Sequence, residues 1–263
     1  MRMSKVLTWS IRPRSPLEDT QVMETYYAAV YWGCRVENAE ACARRAETFF
    51  HLLSRCDPDY TRWFEQADSL KKALQLRFEP TAETFVRFFK KRSNRLGKVG
   101  FIFSAWTGHM EDERGGMVRL LCGSDALGAS NSCFLQLPGE KPGQERVLTL
   151  PVLTEIMRAM VLAWEPDWGV VTSAGLRDSL SQKAHAGTFL GWMTYFSHSR
   201  GAVPSQPSPV STEPLENKGT LLRITPERLT VSNPEHLALG RRVQDALLTR
   251  GLLEPVVSRA PMH

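Results

Sequence analysis

The chain has 263 residues, of which 42% are hydrophobic and 23% charged, with a formal net charge of +5. This is the composition of a globular protein able to bury a core, and no apolar run reaches the roughly 20 residues that a membrane helix needs. Cys34, Cys42, Cys56, Cys122 and Cys133 contain no Cys-x-x-Cys spacing, which argues against a disulfide framework or a zinc site and for reduced thiols in a cytoplasmic protein.

Residues 1–21, with Pro13 and Pro16, read as a flexible leader, because Val6 to Trp9 is too short for a secretion signal and no small-residue cleavage pattern follows. A single domain is expected over 22–254, with a tail at 255–263. The aromatic and small residues from Val22 to Gly33 read as a buried first strand that contains Trp32. Asn38 then suits the N-cap of a helix whose apolar stripe is Cys42, Ala46, Phe49 and Leu53, and Asp57-Pro58 ends it. Arg62 to Leu76 carries a weaker pattern, either a short helix or an ordered loop. Thr81 to Asn94 reads as a helix with Phe85, Phe88 and Phe89 on one side. Val99–Trp106, Met117–Gly123 and Ser132–Leu137 follow as strands, and their connections are too short for a crossover helix, so an antiparallel meander is expected.

Leu150 to Trp164 is helical and apolar on most sides. The block Trp164-Glu165-Pro166-Asp167-Trp168-Gly169-Val170-Val171 reads as a joint: Pro166 pushes Glu165 out of the helical region, and a strand begins at Trp168. Phe189 to Phe196 reads as a further strand, with apolar residues on both faces, where Gly191 marks a close approach beside Trp192. The Pro- and Ser-rich segment 199–218 reads as a long surface loop and Gly219 to Thr225 as a strand. The last helix is capped by Asn233, starts with Pro234, points Leu239, Val243, Ala246 and Leu247 inward, and ends at Gly251. The expected fold class is α+β, a mixed, largely antiparallel β-sheet packed against several α-helices in a single domain.

Catalytic patterns are missing from the sequence. There is no Gly-x-Ser-x-Gly, no Gly-rich phosphate loop, and no pairing among the six histidines that would suit a metal, so neither an enzyme nor a cofactor is expected. Glu165 and Asp167 follow a helix C-terminus whose dipole opposes them, so partners such as Arg177 or a backbone N–H are expected to hold them. The run from Arg87 to Lys98 has six basic residues and no carboxylate, and leaves a nucleic-acid-binding module as the alternative reading.

Three blocks together resemble the immunity protein 52 family: Tyr26-Tyr27-Ala28-Ala29-Val30-Tyr31-Trp32-Gly33, Trp164 to Thr172, and Gly191-Trp192-Met193-Thr194-Tyr195-Phe196-Ser197. Gly219-Thr220-Leu221-Leu222 and Asn233 to Leu239 agree with the family's C-terminal pattern. The resemblance implies an antidote that binds a cognate nuclease toxin of the Tox-REase-5 type, delivered for instance by a type VI secretion system; direct nucleic-acid binding is not expected. It also implies that Trp32, Trp164, Glu165, Pro166, Asp167, Trp168, Gly169, Gly191 and Trp192 form a structural core. Plugging a metal-dependent nuclease cleft favours exposed carboxylates, so Glu111, Asp112 and Glu113 at a hairpin tip are the first interface candidates, followed by Asp57 and Asp59. Trp63 and Trp106 are the aromatic anchor candidates.

Overall fold

A computed structural model describes residues 24–97, 100–109, 115–126, 128–181 and 184–256. In chain order the elements are β1 (Tyr26–Trp32), α1 (Ala39–Leu53), β2 (Trp63–Glu65), α2 (Leu70–Ala73), β3 (Arg77–Phe78), α3 (Ala82–Lys90), β4 (Arg95–Leu96), β5 (Gly100–Trp106), β6 (Met117–Cys122) and β7 (Asn131–Gln136). They continue with α4 (Gly143–Val147), α5 (Leu150–Trp164), β8 (Trp168–Ser173), α6 (Ala174–Leu180), β9 (Met193–Ser197), β10 (Ser211–Leu215), β11 (Gly219–Arg223) and α7 (Pro234–Leu248). The strands form one 11-stranded sheet in the order β10-β11-β9-β8-β1-β7-β6-β5-β2-β3, with β4 paired to β5, and every pairing is antiparallel. The protein is thus a single α+β domain, as its pattern of elements predicts.

One face of the sheet is built to receive helices. Phe101, Phe103 and Ala105 alternate inward along β5, and Phe85, Phe88 and Phe89 of α3 meet them: the Phe88 and Phe103 rings stack at 5.0 Å. The stripe Cys42, Ala46, Phe49 and Leu53 of α1 is wholly buried beside α3 and α5. Asn38 caps α1 by accepting from the Ala41 N–H. Glu47, on the side of α1 turned toward α3, accepts from the Ala82 N–H and so satisfies one of the free donors at the start of α3. Beneath β1 and β8 lies α5, whose Leu153, Ile156, Met157, Met160 and Trp164 are all buried.

Four expectations need correcting. Within 62–76, Trp63–Glu65 is a strand paired with β3 and β5, and only one helical turn, α2, follows; three residues are too few for an alternation to show. The strand expected over 189–196 begins only at Met193; ahead of it Gly191 lies tight against Val170, Val171 and Thr172 of β8, and Trp192 accepts from the Ile224 N–H while its indole N–H donates to Thr225 O. The segment 199–218 is not loop throughout: Ser211–Leu215 is an edge strand, and an edge is where a sheet tolerates Pro214. In α7, Ala246 is exposed and Gly240 takes its place inward, against Leu180. The leader 1–21, Val99 of the fifth strand, and Glu111, Asp112 and Glu113 lie outside the described residues, as does most of the tail at 255–263.

Candidate functional site

The joint after α5 is held by a cluster of cations. Glu165 turns left-handed, at φ 45°, and ends the helix before Pro166. This leaves the last carbonyls of α5 without helical partners, and two arginines from the β1–α1 region take them. Arg45 donates to Ala163 O at 2.9 Å and Arg35 to Trp164 O at 2.6 Å. Arg35 also lies over the Trp32 ring, which stacks on Trp164 with centroids 5.2 Å apart. The Glu165 carboxylate pairs with Lys218 at 2.7 Å and Arg45 at 3.3 Å, and Asp167 accepts from the Gly33 N–H at 2.9 Å. Arg177, expected to serve these carboxylates, instead pairs with Asp178. A backbone N–H and two other cations do the work.

The hydrogen bond from Lys218, aided by Arg45, holds the Glu165 carboxyl below its ordinary value of 4.5. A depressed folded value adds stability that is present above the unfolded value and is lost as pH falls through the folded one. Glu165→Gln is therefore expected to lower the melting temperature at pH 7 and to match the wild type once the pH is low enough to protonate both folded and unfolded carboxyls. The group is substantially exposed, so the effect at pH 7 is small, about 0.5 kcal/mol. A difference that persists unchanged at pH 2 would show that the charge is not its source.

A second charged cluster sits at the opposite end of β1. Asp57 is only 5% exposed, and both its oxygens accept from Arg146 at 3.0 Å. Arg146 also reaches Asp59 at 2.7 Å, and His109 lies 3.6 Å from the other Asp59 oxygen. The hydrogen bonds it donates to Asp57 raise the Arg146 guanidinium above its ordinary range. Beneath this cluster Tyr60 is wholly buried, and burial pushes its phenol well up. It packs so closely under Gly116 that a β-carbon there would lie 2.8 Å from its ring.

This geometry sorts the interface candidates. Asp57 is corrected from an exposed acid to a buried one that anchors Arg146. Trp63 is corrected from a surface anchor to a core residue, 1% exposed, whose indole N–H donates to Tyr60 O at 2.9 Å. Asp59 and Trp106 keep surface, Asp59 beside His109 and Trp106 at the end of β5, three residues before it. Asp59 and His109, fifty residues apart in the chain, thus meet at one corner of the sheet. Sequence reasoning missed Arg146, which comes from α4, 89 residues from Asp57, and meets it only in the fold.

The basic run is less available than its sequence suggests. Lys90 pairs with Glu40 at 2.9 Å and Lys91 with Glu65 at 2.5 Å, while Arg95 lies over the Phe101 ring. Among the described residues no group of three or more His, Cys, Asp or Glu side chains is placed to hold a metal ion, and no helix is long and apolar enough to cross a membrane.

The fold is a helix-backed antiparallel sheet whose prominent polar clusters are given over to ion pairs and helix caps. The model of the family described as Immunity protein 52 matches residues 24–256, nearly the whole chain, and the protein belongs to that family. In structure it is similar to a solved protein described as Pseudomonas aeruginosa T6SS protein PA0821, with a TM-score of 0.51 at 10% identity over 87% of this chain and 75% of that one. That likeness concerns the fold. No curated protein matches the sequence.

Proposed function

We propose that this protein binds and neutralises a cognate nuclease toxin of the Tox-REase-5 type in the cytoplasm of the cell that makes it, as the antidote of a type VI secretion or polymorphic toxin system. The family match over 24–256 carries the reading, and the fold shared with a type VI secretion protein supports it. Inhibition is stoichiometric and non-enzymatic. Asp59, partly exposed beside His109, and the half-buried indole of Trp106 support an interface at this end of β5, and the reading adds Glu111, Asp112 and Glu113 to it. Acidic side chains suit the basic, metal-binding cleft of a nuclease.

The test is a titration of the purified toxin, encoded beside the antidote, with nuclease activity as the readout. Activity is expected to reach zero at one equivalent of antidote. Replacing Glu111, Asp112 and Glu113 together by alanine is expected to slow association about tenfold at low salt, with little effect at high salt. Full nuclease activity at an excess of antidote would end the functional reading, and an unchanged association rate would remove the acidic triplet from it.

A further inference from the structure

The two faces of the sheet are covered unequally. Its inner face carries α1, α3 and α5. On the outer side, Phe189 packs on Trp168 with rings 5.0 Å apart and α6 packs on β8, which closes that half. Over β2, β5, β6 and β7 the outward residues stay half-exposed.

The register aligns these residues in rows. Phe64, Trp106 and Met117 stand side by side across β2, β5 and β6, with Arg77 at the end of the row on β3. Two residues further along the strands, Arg119 stands next to Phe134; beyond that, Ile102 faces Leu121. Two apolar rows therefore flank one guanidinium. The Trp106 ring is held in place: its N–H donates to Glu65 O at 3.3 Å and its face tilts against Phe64 at 6.0 Å. Rigid aromatic surface of this kind loses little entropy when covered.

Charge tells what would cover it. The outward positions of β2, β3, β5, β6 and β7 hold two arginines and no carboxylate, and Glu65, the acid of β2, turns to the helix side and pairs with Lys91. Arg119 is exposed, and among the described residues it pairs with no carboxylate. A planar guanidinium set in an apolar field contributes little to the free chain, whereas it recognises a carboxylate with two parallel hydrogen bonds once water is removed.

We propose that this face docks on the toxin, against an apolar patch with an aspartate or glutamate near its centre that Arg119 clamps. The inference rests on the reading of the chain as a toxin antidote and adds where, and by what chemistry, it grips: this face takes an acid-bearing apolar patch of the toxin.

The experiment is calorimetric titration of catalytically inactivated toxin with the full-length antidote. Arg119→Glu is expected to weaken binding on the order of 100-fold, Arg119→Lys about tenfold because charge remains and the fork is lost, and Leu121→Asp on the order of 100-fold. Arg119 is exposed and its variants are expected to keep the wild-type melting temperature; Leu121 is half-buried, so its variant is assayed below its own melting temperature, measured in parallel, and Arg241→Glu on α7 is expected to bind as wild type. Wild-type affinity in both Arg119→Glu and Leu121→Asp would overturn the assignment of the face while leaving the antidote reading intact. Failure of the wild type itself to bind would overturn the antidote reading. Sedimentation supplies the remaining arm: a wild-type dimer that Leu121→Asp converts to monomer without altering toxin affinity would assign the face to a second copy of the chain and refute the proposal.

Discussion

Gly191→Ala is expected to lower the unfolding free energy by about 3 kcal/mol, at the upper end of what overpacking costs. A β-carbon at Gly191 would lie 2.2 Å from Val171 O, 2.6 Å from Val170 Cγ2 and 2.8 Å from Thr172 Cβ. The first of these is backbone in β8, a strand paired on both sides, so relief requires the middle of the sheet to move. A domain with about 5 to 15 kcal/mol in hand loses a large fraction of it. Gly240→Ala is the control. There the nearest atoms are Leu180 methyls at 3.2 and 3.3 Å, which can rotate away, and alanine gains about 1 kcal/mol of helix propensity in α7. Urea midpoints for the two variants measure the contrast; similar values would mean that β8 shifts without cost.

Trp164→Ala is expected to be larger still, about 4 kcal/mol, with Trp164→Phe costing roughly half as much. The side chain is 0% exposed and fills the space between the end of α5 and Trp32. Removing it leaves a cavity and strips the stack on which Arg35 lies, so the guanidinium that caps the Trp164 carbonyl loses its support as well. The two effects share residues, and the double variant Trp164→Ala, Arg35→Ala is accordingly expected to cost less than the sum of its parts. Strict additivity, measured by denaturant unfolding, would separate the cap from the stack.

How much of this was legible in the sequence follows from the range of each interaction. The helices announce themselves locally: Asn38 and Asn233 cap where they stand, and the stripe of α1 needs only its own spacing. The β5–β6–β7 meander is legible because its turns are short. Strand β2 is not, since three residues hold no periodicity and their place in the sheet is set by β5, some forty positions away. The joint at 164–171 can be recognised from Pro166 and the two tryptophans, but its cations cannot, because Arg35, Arg45 and Lys218 come from chain segments more than fifty residues distant. The same holds for the surface. Trp63 and Trp106 look equivalent on paper, and only the pleat of β2 and β5 sends the first into the core and leaves the second at the boundary with water.

The two borders of the sheet restrict how anything can attach to it. On one side the outermost strand contains Pro214, an imide with no hydrogen to donate; on the other it is just Arg77 and Phe78, two residues long. Both are poor ladders for a foreign strand to extend, which helps guard so wide a sheet against growing into fibrils through its own margins. Strand addition is thereby disfavoured, and the broad side or the loops at the ends are the easier approach for a visiting protein.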